Sequence, residues 1–316
     1  MNLIKSISGV FWNREENRLR MLWRMVTYST SLSIVVILFS LILGGSNILS
    51  NNFLLSFVVL LSVLLTTILI GKWVDRRRIS DFGLIPSKAW LEEFFFGLAL
   101  GAILMGLIFA VGLLSGSMTV AGYFQVASES ENFIPEFLKA IGFYFAVGIY
   151  EEVLLRGYLL VNLAEGLKIK SLDTKWKLLL ALILSSVIFG ILHVINPNSS
   201  LVSTLNLSMA GIFLGLGMVL SGRLGLPIGL HITWNLFQGN VFGFPVSGTN
   251  SGATIITTSL TGPDWFTGGA FGPEAGILGL MGMLVGCLLI IFWMRRRGKL
   301  ALKKNLAQYE VRAKQS

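Results

Sequence analysis

Charge and polarity are scarce in this chain: 13% of its 316 residues are Asp, Glu, Lys or Arg, 54% are hydrophobic, and mean hydropathy is +0.75. That little polar surface cannot coat a soluble globule, so the sequence reads as an integral membrane protein. The single cysteine, Cys287, excludes an intrachain disulfide, and its place in an apolar run points to packing. All four aspartates (Asp75, Asp81, Asp173, Asp264) lie outside the apolar runs, which excludes an intramembrane aspartyl dyad. No Gly-x-Ser-Gly nucleophile motif and no His-Glu-x-x-His zinc motif occur. No secretory signal is evident, because the first apolar run follows a basic segment bearing Phe11, Trp12 and Trp23.

What is present are eight apolar runs, at 25–45, 53–71, 94–115, 137–163, 178–195, 203–220, 224–242 and 275–294. Each suits one crossing at about 20 residues per span. The expected fold is all-α: one polytopic membrane domain over 25–294, a basic interfacial segment over 1–24 and a basic tail over 295–316. The lysines and arginines fall on alternate loops, apart from Arg156 inside a span and Lys139 near the opposite entrance to span four. By the positive-inside rule both termini are cytoplasmic, and the acidic loop with Glu129, Glu131 and Glu136 is external. The net charge of +9 then reflects topology and contact with anionic membrane lipid, and no nucleic-acid partner is expected. Gly97/Gly101 and Gly211/Gly215 suggest close helix crossings. The glycine-rich stretch 239–276 lacks the context of a phosphate loop and reads as an external loop able to act as a lid.

Only two histidines occur, and both sit in apolar runs, near a run that also holds a Glu-Glu pair and an arginine. Ionisable groups at membrane depth are costly, so they mark a functional site. Glu152 and Arg156, four residues apart, share a helix face and should pair; Glu151 points about 100° away and stays available. Phe189 and His193 share a face, with Phe189 read as packing, as do His231 and Asn235. Taken singly, a buried Glu, His or Asn could as well cap a helix or join two helices. Together they suit peptide-bond hydrolysis: a carboxylate activates water, an imidazole orients it or protonates the leaving amine, and a carboxamide binds the oxyanion. Glu151, His193 and His231 could equally hold zinc with an open fourth position.

In this order, Glu-Glu-x-x-x-Arg (Glu151, Glu152, Arg156), Phe-x-x-x-His (Phe189, His193) and His-x-x-x-Asn (His231, Asn235) resemble the CPBP intramembrane proteases, the CAAX-processing and bacteriocin-processing group with its Rce1-type endopeptidases. The resemblance covers roughly residues 137 to 242, the expected protease core. It implies an intramembrane endopeptidase of metallo or glutamate type, in which Glu151 and His193 activate water while His231 and Asn235 stabilise the oxyanion. It further implies a peptide or protein substrate, prenylated or membrane-inserted, and residence in a bacterial plasma membrane. A proton-coupled transporter is the main rival, but it would favour internal repeats, and none is convincing. A non-catalytic immunity or scaffold protein would not need the full Glu/His/His/Asn set.

Depth poses a constraint. At about 1.5 Å per residue, His193 lies roughly 24 Å from Lys177 and Glu151 roughly 25 Å from Lys168, whereas His231 is only about 12 Å from Arg223. Either the connections after spans four and six dip into the bilayer, or the segments after Leu163 and before Leu178 are partly interfacial.

Overall fold

The computed structural model describes residues 9–309 apart from 129, 170 and 251. Lys5 and the rest of 1–8 in the basic N-terminal segment, Glu129 of the acidic loop, Lys170, and residues 310–316 of the tail with Arg312 and Lys314 lie outside the described residues.

The chain is a polytopic helical membrane protein. Among the described residues, seven helices are long and apolar enough to cross a membrane: α1 Met21–Leu43, α2 Asn52–Trp73, α3 Lys88–Leu114, α4 Phe133–Gly166, α5 Thr174–Leu192, α6 Leu201–Ser221 and α8 Ile277–Arg296. Four of their first turns are closed by short polar side chains: Asn51 accepts from Leu54 N–H, Ser87 from Trp90, Asp173 from Trp176 and Ser200 from Ser203. These caps satisfy amides that lipid could not. α4 is one continuous rod with a π-helical stretch at Val153–Leu159, directly after the Glu-Glu pair.

The eighth apolar run, expected to span over 224–242, differs. It forms a short helix, α7, at Gly225–Leu236, extended by a π turn at Phe237–Val241. Every residue from Gly225 to Asn235 is buried, so α7 touches protein on all sides where the other helices show an apolar face outward. Small residues make this possible. A Cβ at Gly101 of α3 would lie 2.7 Å from Leu230 O and 2.8 Å from Trp234 N, and one at Gly148 of α4 would lie 2.6 Å from Ile232 Cγ1. Thr233 Oγ1 adds an interhelical bond to Leu98 O at 2.8 Å. Gly211 likewise brings α6 onto Ser186 of α5, where a Cβ would meet Ser186 Cα at 2.7 Å.

The start of α7 is itself enclosed. Leu224 and Leu226 are fully buried, and Leu224 N–H donates to Gly83 O at 3.0 Å.

The glycine-rich stretch is more ordered than a loop reading suggests. It contains a strand, β2 Ala253–Leu260, paired antiparallel with β1 Met118–Val126 after α3, with a bulge between Val120 and Gly122. The rest is stitched to the turn after α5, where Asn196 Nδ2 donates to Ser247 O at 2.9 Å, and to itself, where Gly248 N–H donates to Phe271 O at 2.8 Å.

At the opposite end, Arg18 and Arg24 are buried in an ion network. Arg18 pairs with Glu165, Arg77 reaches Glu165 at 2.6 Å, and Arg24 reaches the same carboxylate at 2.9 Å. Arg24 Nε donates to Asn162 Oδ1 at 3.0 Å. Asp75 Oδ1, also 3.0 Å from that nitrogen, gains charge attraction but no hydrogen bond there. Burial accordingly pushes the Asp75 carboxyl up to about 6, against the pull of Arg24.

Candidate active site

Four helices, α4 to α7, meet around a cavity of about 400 Å³ whose wall includes Glu151, Phe189, His193, His231 and Asn235. α4 carries the carboxylates to it. Glu152 is fully buried against its neighbours, while the Glu151 side chain keeps 19% of its exposure and lines the cavity. Successive helical residues diverge by about 100°, so adjacent carboxylates serve different surroundings.

Glu152 is a shared acceptor. Its Oε1 takes a hydrogen bond from Arg156 Nη1 at 2.9 Å and lies 2.8 Å from Nδ1 of His231. A carboxylate held by a guanidinium is an acceptor, so Nδ1 of His231 carries the proton and Nε2 is the nitrogen left over. That Nε2 lies 3.8 Å from Glu151 Oε2. Glu152 therefore makes the expected pair with Arg156 and also holds His231, one oxygen serving both. Arg156 also donates to Gly211 O at 3.3 Å and stacks over Phe189, with Cζ 4.5 Å from the ring centre.

His193 closes the C-terminus of α5 and is not within the helix. Its Nδ1 lies 2.8 Å from Phe189 O, which as a carbonyl can only accept, so here too Nδ1 is the protonated nitrogen and Nε2 is released. The Phe189 ring, 3% exposed, sits edge-on to both imidazoles, with centroids 4.7 Å from His193 and 6.2 Å from His231. Phe189 is thus more than filler: its carbonyl fixes one tautomer and its ring separates Arg156 from the cavity. Asn235 lies one turn beyond His231 on α7 and lines the same cavity. Among the described residues, no three His, Cys, Asp or Glu side chains are arranged to hold a metal ion.

One wall residue was not foreseen from the sequence. Glu274, 4% exposed, reaches the cavity from the segment before α8. Its Oε2 accepts from Ser247 N–H at 2.8 Å and Ser247 Oγ at 3.1 Å, and burial raises its carboxyl above the usual range despite those bonds. Ser247 adopts a left-handed φ of 47°, a strained choice for a residue with a side chain. The only cue in the sequence is a carboxylate after Pro273 at the mouth of the last apolar run, with no spacing that links it to the helix motifs.

Fold and site together define a polytopic membrane protein with an ionisable constellation held between helices. Residues 133–237 match the family model described as type II CAAX prenyl endopeptidase Rce1-like. That segment contains Glu151, Glu152, Arg156, Phe189, His193, His231 and Asn235. No curated protein and no solved structure gives a significant match.

Proposed function

We propose that this chain is an intramembrane endopeptidase that hydrolyses a peptide bond with water activated by Glu151 and His193. The observation that carries the reading is the convergence of Glu151, His193, His231 and Asn235 on one cavity, with each imidazole held through Nδ1 and its Nε2 left for chemistry. Water positioned by His193 Nε2 gives a proton to Glu151 as its oxygen attacks the peptide carbonyl carbon. The oxyanion is met by Asn235 Nδ2 and by His231 Nε2–H in its protonated form. Collapse of the tetrahedral intermediate breaks the C–N bond, and Glu151 returns the proton to the leaving amine.

Glu152 and Arg156 act as a positioning pair, orienting His231. No step in this scheme requires a metal. The substrate is a protein or peptide presented at the membrane, prenylated or membrane-inserted. The basic loops would place both termini on the cytoplasmic side of a bacterial plasma membrane.

The test is turnover of a peptide library by purified wild type and Glu151→Gln. Abolished turnover in a folded, detergent-stable variant is expected. Turnover within about threefold of wild type would remove Glu151 from the chemistry.

A further inference from the structure

A second cavity, of about 640 Å³, continues the first and shares Phe143, Tyr144 and Thr249 with it. It lies between the start of α2, the start of α4 and the loop after α7, at the helix ends opposite the basic loops. Glu136 and Lys139 at its edge neutralise each other at 2.6 Å, so it does not select by charge. Beside the hydroxyl-bearing Tyr144 and Thr249, its other polar side chains are the carboxamides of Asn51, Asn52, Asn240 and Asn250. A carboxamide offers both a donor and an acceptor, the complement of a peptide main chain whatever its side chains.

Asn240 is the telling member. It is fully buried, its Nδ2 donates to Ala253 O at 2.6 Å, and its Oδ1 has no hydrogen-bond partner among the described residues. A buried acceptor left unmatched is costly, and a peptide N–H that reached Oδ1 as the groups covering it shifted would satisfy it. The Nδ2 bond to a carbonyl fixes which end of the amide is the oxygen.

We propose that this vestibule binds an extended stretch of polypeptide, whose main chain passes Asn240 and continues past Tyr144 into the chamber that holds Glu151. The vestibule thus delivers substrate from the side opposite the basic loops. What happens at the end of this path rests on the endopeptidase reading; the binding does not.

The experiment is photo-crosslinking of the full chain, carrying benzoylphenylalanine in place of Asn250, with a fluorescein-labelled pool of random decapeptides. Glu151→Gln prevents consumption of the probe. Crosslinking at position 250 is expected, with little at a control position, Lys303, near the basic end. Ala140→Trp, which fills the vestibule from α4, should lower the yield about fivefold or more, and Asn240→Ala should raise the half-maximal peptide concentration by a similar factor. In protein with Glu151 intact, both changes should raise KM while leaving kcat nearly unchanged. Asn240→Ala also releases Ala253, so Ala140→Trp, which touches no hydrogen bond, keeps the test independent of folding. Yield unaffected by Ala140→Trp, stronger capture at 303, or no capture at all would overturn the vestibule. Specific capture without hydrolysis by wild type would instead sink the endopeptidase reading and leave the vestibule standing.

Discussion

His231 and Arg156 bond the same atom: Oε1 of Glu152 lies 2.8 Å from Nδ1 of the imidazole and 2.9 Å from Nη1 of the guanidinium. The second oxygen of this carboxylate is buried with no hydrogen-bond partner among the described residues. The pairing compensates the Glu152 charge and at the same time sets the tautomer of a cavity-lining histidine.

Removing one partner leaves the other charge uncompensated in a buried site, at about 3 to 5 kcal/mol. Glu152→Ala and Arg156→Ala are each expected to lose stability, and the double variant less than the sum of the two. A thermal-shift double-mutant cycle measures this. Strictly additive losses would show that the contact carries no coupling energy.

Glu274 ties the loop over the cavity to its mouth through Ser247. Glu274→Ala should free the left-handed turn at Ser247, with a loss of about 1 to 3 kcal/mol for the unmatched donors, and should raise KM more than it lowers kcat. Glu274→Gln retains one acceptor oxygen and should recover most of the stability. Equal kinetics in all three proteins would show that the strap plays no part in substrate handling.

The helices were legible because long apolar runs have few alternatives in lipid, and the three motifs were legible because residues four apart meet on a helix. α7 with its π turn fills nearly all of the expected 224–242, but its apolarity serves burial in protein and not exposure to lipid, a difference seen in the Gly97, Gly101 and Gly148 contacts. β2 carries a β-branched run, Thr254-Ile255-Ile256-Thr257-Thr258, that signals a strand, but its glycine-rich flanks drew the reading toward a loop. The π stretch at Val153–Leu159 has no mark in the sequence. Glu274 meets Ser247 across 27 positions, a tertiary relationship with no periodicity behind it.

A metal-free reaction predicts that chelation leaves turnover intact and that active protein holds no stoichiometric zinc. The relevant geometry is Glu151 facing His231 at 3.8 Å, with His193 held separately through the Phe189 carbonyl. Elemental analysis with a chelator titration decides the matter. Zinc whose removal stops turnover, and whose return restores it, would reassign Glu151, His193 and His231 as ligands.

At the far end of the molecule, Asp75 makes stability depend on pH with a sign opposite to that of most carboxylates. Its carboxyl sits at about 6 in the fold against an ordinary value of 3.8. Between those values the folded chain binds more proton than the unfolded one, so stability falls as pH rises from about 4 to about 6 and levels off above. The full displacement corresponds to about 3 kcal/mol at most. Asp75→Asn removes the titration, though it also weakens the hold on Arg24, so the absolute melting temperature is a poor readout. The difference in melting temperature between wild type and Asp75→Asn, followed across that window, isolates the effect. The wild-type curve should decline relative to the variant from pH 4 to 6. Parallel curves would mean that Asp75 is ionised throughout, with Arg24 and Tyr158 outweighing its burial.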